Sequence, residues 1–593
     1  MKQLFFALCL LILPCSAWSA AYVASVTGNW SSSATWGGSG VPGTGDTATI
    51  NNGVTVTQDG NVTVGATVVE GRLTQATGVT LTMEGALTIG NGTSKDGQFD
   101  FGAGSTLALG ANNLILGNCW LRSNAISGNW AKITGTGNIQ THGTVTGPKQ
   151  DIVLSYVSFQ NTGTIAFAHK PGGTGAAGIT NQIDIQHCTF VSTGSITSGL
   201  ASTGATDMIR RWKYNDLRNV GEITFLGLTG TPTSETSFSY NTVSCTTAVG
   251  LKINNISGFT ISNNSFYNFR IGVPSAGTSG GHTIERNWFS YPSSATSGSN
   301  YIQLSNGYGA STIARNYFYN EYANPHTMTV ASGSGGTGTF QVTENVIEET
   351  ASTEEGNFLA PGQLAINLTK NVLIGPGNIA ATASSITGAG ITMSQNTIFV
   401  TNNIGDNYGH TWLLEGAEVA YSGNVKISSN LLSYKSGVSP ATSSYFATNN
   451  TSIIPQTLYF GDYNCYPSAL SAVYRQFTVT NTGHDITNVD PGFIETTRGL
   501  ETWGQTVHGT DGTVGAAVAK LLATNGYNST SKTQSDTPSG ASVYGAGTSL
   551  VDWVRLGFTP TNNTLMASGE NGTYIGAIEP VAAVSGAALL LGW

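Results

Sequence analysis

Ile261-Ser262-Asn263-Asn264-Ser265-Phe266, Ile284-Glu285-Arg286-Asn287-Trp288-Phe289, Ile313-Ala314-Arg315-Asn316-Tyr317-Phe318 and Val342-Thr343-Glu344-Asn345-Val346-Ile347 are four successive copies of one pattern. Each has an apolar residue, two variable positions, Asn, one variable position and a second apolar residue. Towards the N-terminus the pattern continues in Phe238/Asn241/Val243 and Trp212/Asn215/Leu217, with Ile185/Cys188/Phe190 as a variant. Towards the C-terminus it continues in Leu368/Asn371/Leu373, Met393/Asn396/Ile398 and Ile427/Asn430/Leu432, and Asn464 looks like a further copy. Successive Asn residues lie 23 to 34 positions apart.

A motif kept in register at this period is the signature of stacked supersecondary units, each too small to bury an apolar face alone. Short strands stacking at a rise of roughly 4.8 Å satisfy it, with about three strands per coil. The apolar residues flanking Asn then point inward from two strands. Asn is expected at the sharp turn between them, tolerating left-handed backbone and bonding its counterparts in a vertical ladder. The fold class read from the repeat is all-β: a right-handed, single-stranded parallel β-helix with an Asn ladder. Variation in spacing falls on longer turns such as Pro274–Gly281 and Ser332–Gly338.

Composition agrees. Only 9% of the 593 residues are charged, while apolar residues recur throughout, which separates the chain from disordered polar segments. A net charge of -9 with no Lys/Arg cluster argues against a nucleic-acid partner. Residues 1–21 read as an export signal, with Lys2, an apolar run from Leu4 to Leu13 and small residues at Ala17 and Ser19–Ala21. That run is too short to span a bilayer, as is the apolar tail Val581–Trp593. The expected organisation is a signal (1–21), an N-terminal cap with short coils (22–150), the main β-helix (151–470), and C-terminal coils with a capping segment (471–593). Ala516–Leu522 and Leu550–Leu556 read as short helices, the second with Ser549 and Asp552 in capping-box spacing. Four cysteines remain after the signal: Cys119, Cys188, Cys245 and Cys465. Cys188 and Cys245, two coils apart, are expected roughly 10 Å from each other, too far for a disulfide, so buried free thiols are expected.

The opening Asn29-Trp30, Thr35-Trp36-Gly37-Gly38, Val41-Pro42-Gly43 and Gly45-Asp46 resembles the glycine-rich start of many extracellular β-helix proteins. Asp490-Pro491-Gly492-Phe493, Gly557-Phe558-Thr559-Pro560 and Gly572–Ile578 resemble closing segments of bacterial ones, expected to cap the last coil. Residues 22–580 thus resemble the pectate-lyase-like right-handed β-helix superfamily. That resemblance implies export to the cell surface or medium and a polysaccharide or cell-surface glycan as partner. The superfamily includes lyases, hydrolases, esterases and non-catalytic adhesins, so it names a scaffold rather than a reaction.

Register aligns columns of outward side chains beside the ladder. The position before Asn gives Asn263, Arg286, Arg315, Glu344 and Lys370; the position after gives Ser265, Trp288, Tyr317 and Val346; Tyr267, Ser290 and Tyr319 come three after. Arg286, Trp288, Tyr317 and Tyr319 form a candidate sugar-binding patch, since aromatic rings stack on sugars and guanidinium groups grip hydroxyls or uronates. The same columns equally fit a packed face beneath a covering loop. Glu321, His326, Glu344, Arg315 and Lys370 are candidate catalytic groups: carboxylates one or two coils apart bracket hydrolase spacings, and a lyase needs a cation and a base. Glu348 and Glu349, in an acid-rich stretch with Glu354 and Glu355, are candidate Ca²⁺ ligands, Ca²⁺ being the one cofactor the acids suggest. Asp406, His410, Trp412 and Glu415 mark a second candidate cleft. Two functions remain open: an exported protein that binds and cleaves extracellular polysaccharide as a lyase or glycoside hydrolase, or a non-catalytic surface, adhesion or structural protein.

Overall fold

A computed structural model describes residues 19–90, 96–124, 129–142, 151–169, 181–200, 208–227, 235–254, 256, 258–273, 281–291, 301–304, 311–320, 328–330, 339–349, 357–361, 365–375, 379–383, 390–401, 411–416, 425–438, 445–449, 456–458, 460–468, 472–475, 477–479, 483–499, 527–528, 533–534 and 550–580. The export signal, the helix expected at Ala516–Leu522 and the apolar tail lie outside these residues. The chain divides into two compact units, residues 1–165 with 170–173, and residues 166–169 with 174–593.

In the first unit, Ala21–Ala24, Thr47–Ile50, Thr67–Val69 and Leu87–Ile89 stack as parallel strands. Thr–apolar alternation buries every second side chain, as in Thr47–Ile50 and Thr80–Met83. Trp30 and Trp36 are buried and meet edge to face at 4.9 Å. Their indole N–H groups donate to Pro42 O (3.2 Å) and Trp30 O (2.8 Å), so both polar tips are satisfied.

The second unit is a right-handed parallel β-helix. The strands preceding Asn stack without interruption from Met208–Lys213 through Glu235–Ser239, Phe259–Ser262, Thr283–Glu285, Thr312–Ala314, Thr339–Thr343, Ala365–Thr369, Ile391–Ser394 and Val425–Ser428 to Phe460–Asp462. The strands following Asn form a second register, for example Trp288–Tyr291 on Tyr317–Asn320 on Val346–Glu349. Inward Phe266, Phe289 and Phe318 stack ring on ring at 5.0 Å per coil.

Ten asparagines from Asn215 to Asn464 are buried and form the ladder. Asn316 shows why the residue must be Asn. Its amide donates to Ile284 O (2.9 Å) and Asn345 Oδ1 (3.0 Å), and its Oδ1 accepts the Asn287 backbone N–H (3.0 Å) and side-chain N–H (3.0 Å). Two donors and two acceptor sites are all used, so a fully buried amide carries no unmet polarity. Asp485 supplies the last rung, accepting from Asn464 N at 2.8 Å; a terminal rung has only to accept, which a carboxylate does.

One expectation is corrected at this corner. The left-handed residue is the one before Asn, not Asn itself: Tyr214, Tyr240, Asn263, Arg286, Arg315, Glu344, Lys370, Gln395, Ser429 and Tyr463 all have φ between 54° and 61°. Asn must stay inside to bond, so the chain reverses one residue earlier, where the side chain projects outward. The four cysteines are free and buried, as the coil geometry requires.

The closing segment packs against the side of the stack. Helix α1, Leu550–Gly557, sets Leu550, Val551, Trp553 and Val554, followed by Phe558, against Trp288, Tyr317, Tyr319, Val346, Val372, Ile374 and Phe399. Leu565 and Ile575 do the same to Leu431 and Cys465. The apolar column just after Asn faces away from the lumen, and this segment is what removes it from water.

Candidate functional site

The face carrying most candidate residues is therefore covered. Trp288, Tyr317 and Tyr319 point out of the coil, as their register demands, but are no more than 4% exposed beneath α1. The sequence leaves an open aromatic platform and a covered, packed face as alternatives; the structure has the packed one, because the rings meet an equally apolar partner from the C-terminal segment. The Tyr317 hydroxyl donates to the Glu348 carboxylate under this cover. Of the substrate-binding candidates, Arg286 alone is exposed.

At the rim of α1 two of the charged candidates, Arg315 and Glu344, pair with each other. Arg315 Nε bonds Glu344 Oε2 at 2.6 Å. Burial raises the Glu344 carboxyl, but the Arg315 bond and the charges of Arg555, Arg315 and Lys370 more than offset it and hold the group below its ordinary value. The bond to Glu344 raises Arg315 in return. Arg555 of α1 is half-buried in this cluster, donating to Lys370 O at 2.5 Å and Ala577 O at 3.2 Å. The Lys370 ammonium lies 5.9 Å from the Tyr574 ring centre. Arg315, Glu344 and Lys370 thus come together, but as the seam between cover and coil.

The two metal candidates separate. Glu348 and Glu349 are consecutive on one strand, so they face opposite ways. Glu348 turns outward to Tyr317, whereas Glu349 is 3% exposed, and both its oxygens lack a hydrogen-bond partner among the described residues. Burial pushes its carboxyl up to about 8. No group of three or more His, Cys, Asp or Glu among the described residues is placed to hold a metal. Glu321, His326, Glu354, Glu355, Asp406 and His410 lie outside the described residues, as do the side chains of Trp412 and Glu415.

The sequence reading missed an acid–imidazole pair at the C-terminal coils. Asp462 is fully buried and accepts the backbone N–H groups of Tyr463 (2.9 Å) and His484 (2.8 Å), and its second oxygen lies 3.0 Å from His484 Nδ1. The half-exposed His484 ring stacks on Tyr463 at 4.5 Å with the two ring planes nearly parallel. The only sequence signal was that Asp462-Tyr463 precedes a ladder Asn; His484 precedes the terminal Asp485 in the same way.

No protein-family model, no curated protein and no solved structure matches this chain. Among the described residues no helix is long and apolar enough to cross a membrane.

Proposed function

We propose that the chain is an exported, non-catalytic surface or structural protein, in which a stiff stack of coils carries turns of variable length to an extracellular partner. The observation that carries this reading is the cover: α1 and the segment after it fill the aromatic face, and Arg315 and Glu344 at its edge pair with each other. The saturated Asn ladder suits a scaffold, since it holds backbone geometry constant while spacing between rungs varies from 23 to 34 residues.

A second reading is that the protein binds extracellular polysaccharide and cleaves it as a lyase or hydrolase. It draws on the Asp462–His484 pair, where a buried carboxylate fixes an imidazole at the surface, the arrangement a general base uses.

The test is a glycan panel with the full chain, read for binding and for ultraviolet absorbance of unsaturated sugar products, beside adhesion of protein-coated beads to cells. Bead adhesion lost on shortening Pro274–Gly281 or Ser332–Gly338, with no glycan consumed, supports the scaffold. Turnover of a glycan that disappears in His484→Ala overturns it in favour of the enzyme.

A further inference from the structure

Inside the N-terminal coils of the second unit, the inward row of the strands preceding the ladder position runs Ile183, Arg210, Thr236 and Phe259 in register. Arg210 is wholly buried in this row. Its Nη1 donates to Leu226 O at 2.7 Å and reaches Ser198 O at 3.5 Å, while Nε and Nη2 have no partner among the described residues. The buried hydroxyls of Ser198 and Thr236 are unpartnered as well, and so is the indole N–H of Trp212, two residues along the same inward face. Burial lowers the guanidinium to about 10, so it is charged at neutral pH, and no carboxylate among the described residues answers it.

The chemistry of these groups is specific. Every unpartnered group here is an N–H or O–H able to donate, and the one formal charge is positive. A buried cation without a counter-charge is strongly unfavourable. Water accepts from such donors but carries no charge and brings two donors of its own. A small anion supplies acceptance and charge together, and the edges of surrounding rings suit it too: Phe225 meets Trp212 edge to face at 5.9 Å. We propose that the coil lumen beside Arg210 is a binding site for a monovalent anion of the halide class, held by the Arg210 guanidinium and the hydroxyls of Ser198 and Thr236.

Two measurements on the full chain test this. Crystals grown in sodium bromide should show an anomalous peak in the lumen within hydrogen-bond reach of Arg210. Thermal unfolding in sodium chloride against sodium gluconate, at equal ionic strength, should show a midpoint that rises with chloride. Thr236→Val keeps the shape and removes one donor, so about tenfold more chloride should be needed for the same shift, the equivalent of one hydrogen bond. Arg210→Met should abolish the chloride response; should that variant not fold, Thr236→Val carries the comparison. A lumen holding only water in the bromide crystals, or a chloride response equal in wild type and Thr236→Val, overturns the proposal.

Discussion

Arg555 Nη1 donates to the carbonyl of Lys370 at 2.5 Å, across 185 residues of sequence, and so ties the covering helix to a left-handed corner of the coil. Burial opposes charge on this guanidinium, and Glu344 and Asp552 favour it. The bond sits where the apolar contact of α1 meets the charged rim, so it fixes how the helix lies on the coil.

Removing the largest anchor of that helix should therefore release the cover. Trp553 is buried against the aromatic column and its ring lies 5.0 Å from the Arg498 guanidinium. Trp553→Ala should cost about 3–5 kcal/mol of the cover's attachment. The coils beneath keep their own ladder and lumen. Limited proteolysis should then cut near α1 first, while the β signal in circular dichroism persists. Loss of both together would show that the cover is integral to the stack.

The ladder predicts an asymmetry between its middle and its end. Asn316→Ala leaves buried donors and acceptors of Asn287, Asn345 and Ile284 unmet on both sides, each costing about 1–3 kcal/mol. Asp485→Ala removes acceptors from the rung on one side and from the Tyr466 hydroxyl. Urea midpoints should fall further for Asn316→Ala, and an equal fall would mean the ladder is not cooperative.

The corners give a backbone test. Gln395 has φ of 56°, which a β-branched residue tolerates poorly and Asn tolerates well. Gln395→Val should destabilise by about 1–2 kcal/mol and Gln395→Asn should be neutral or mildly stabilising. Denaturant curves of the two variants decide it. Similar losses in both would place the cost in the side chain, which bonds Tyr574 O at 3.4 Å, rather than in the backbone.

These corners also show what the sequence made legible. Asn recurs because a buried amide must match a neighbour above and below, so the register, and the separation that keeps Cys188 and Cys245 from bridging, could be read from spacing. The outward columns were read correctly as columns. Their fate was not legible, because Trp288 and Trp553 are 265 positions apart and no local pattern says that one covers the other. Glu348 and Glu349 read as a pair until strand alternation sent them to opposite faces. His484 was overlooked because its partner Asp462 lies on the preceding coil, outside any short motif.

Glu349 carries the pH prediction. Its folded value, about 8, stands above the ordinary 4.5 because burial disfavours the charged form. Below pH 4.5 the group is neutral folded or unfolded, and its burial carries no ionic penalty. Between 4.5 and 8 the unfolded chain releases the proton while the fold retains it, so stability falls as pH rises, and the loss levels off above 8. The loss is on the order of several kcal/mol at one pKa unit per 1.4 kcal/mol. Glu349→Gln removes the charge at nearly constant shape. It should match wild type at pH 4, exceed it in urea midpoint at pH 8 to 9, and flatten the profile between. A wild-type profile with no fall across that window, or an identical one in Glu349→Gln, would mean that Glu349 reaches solvent or finds a cation.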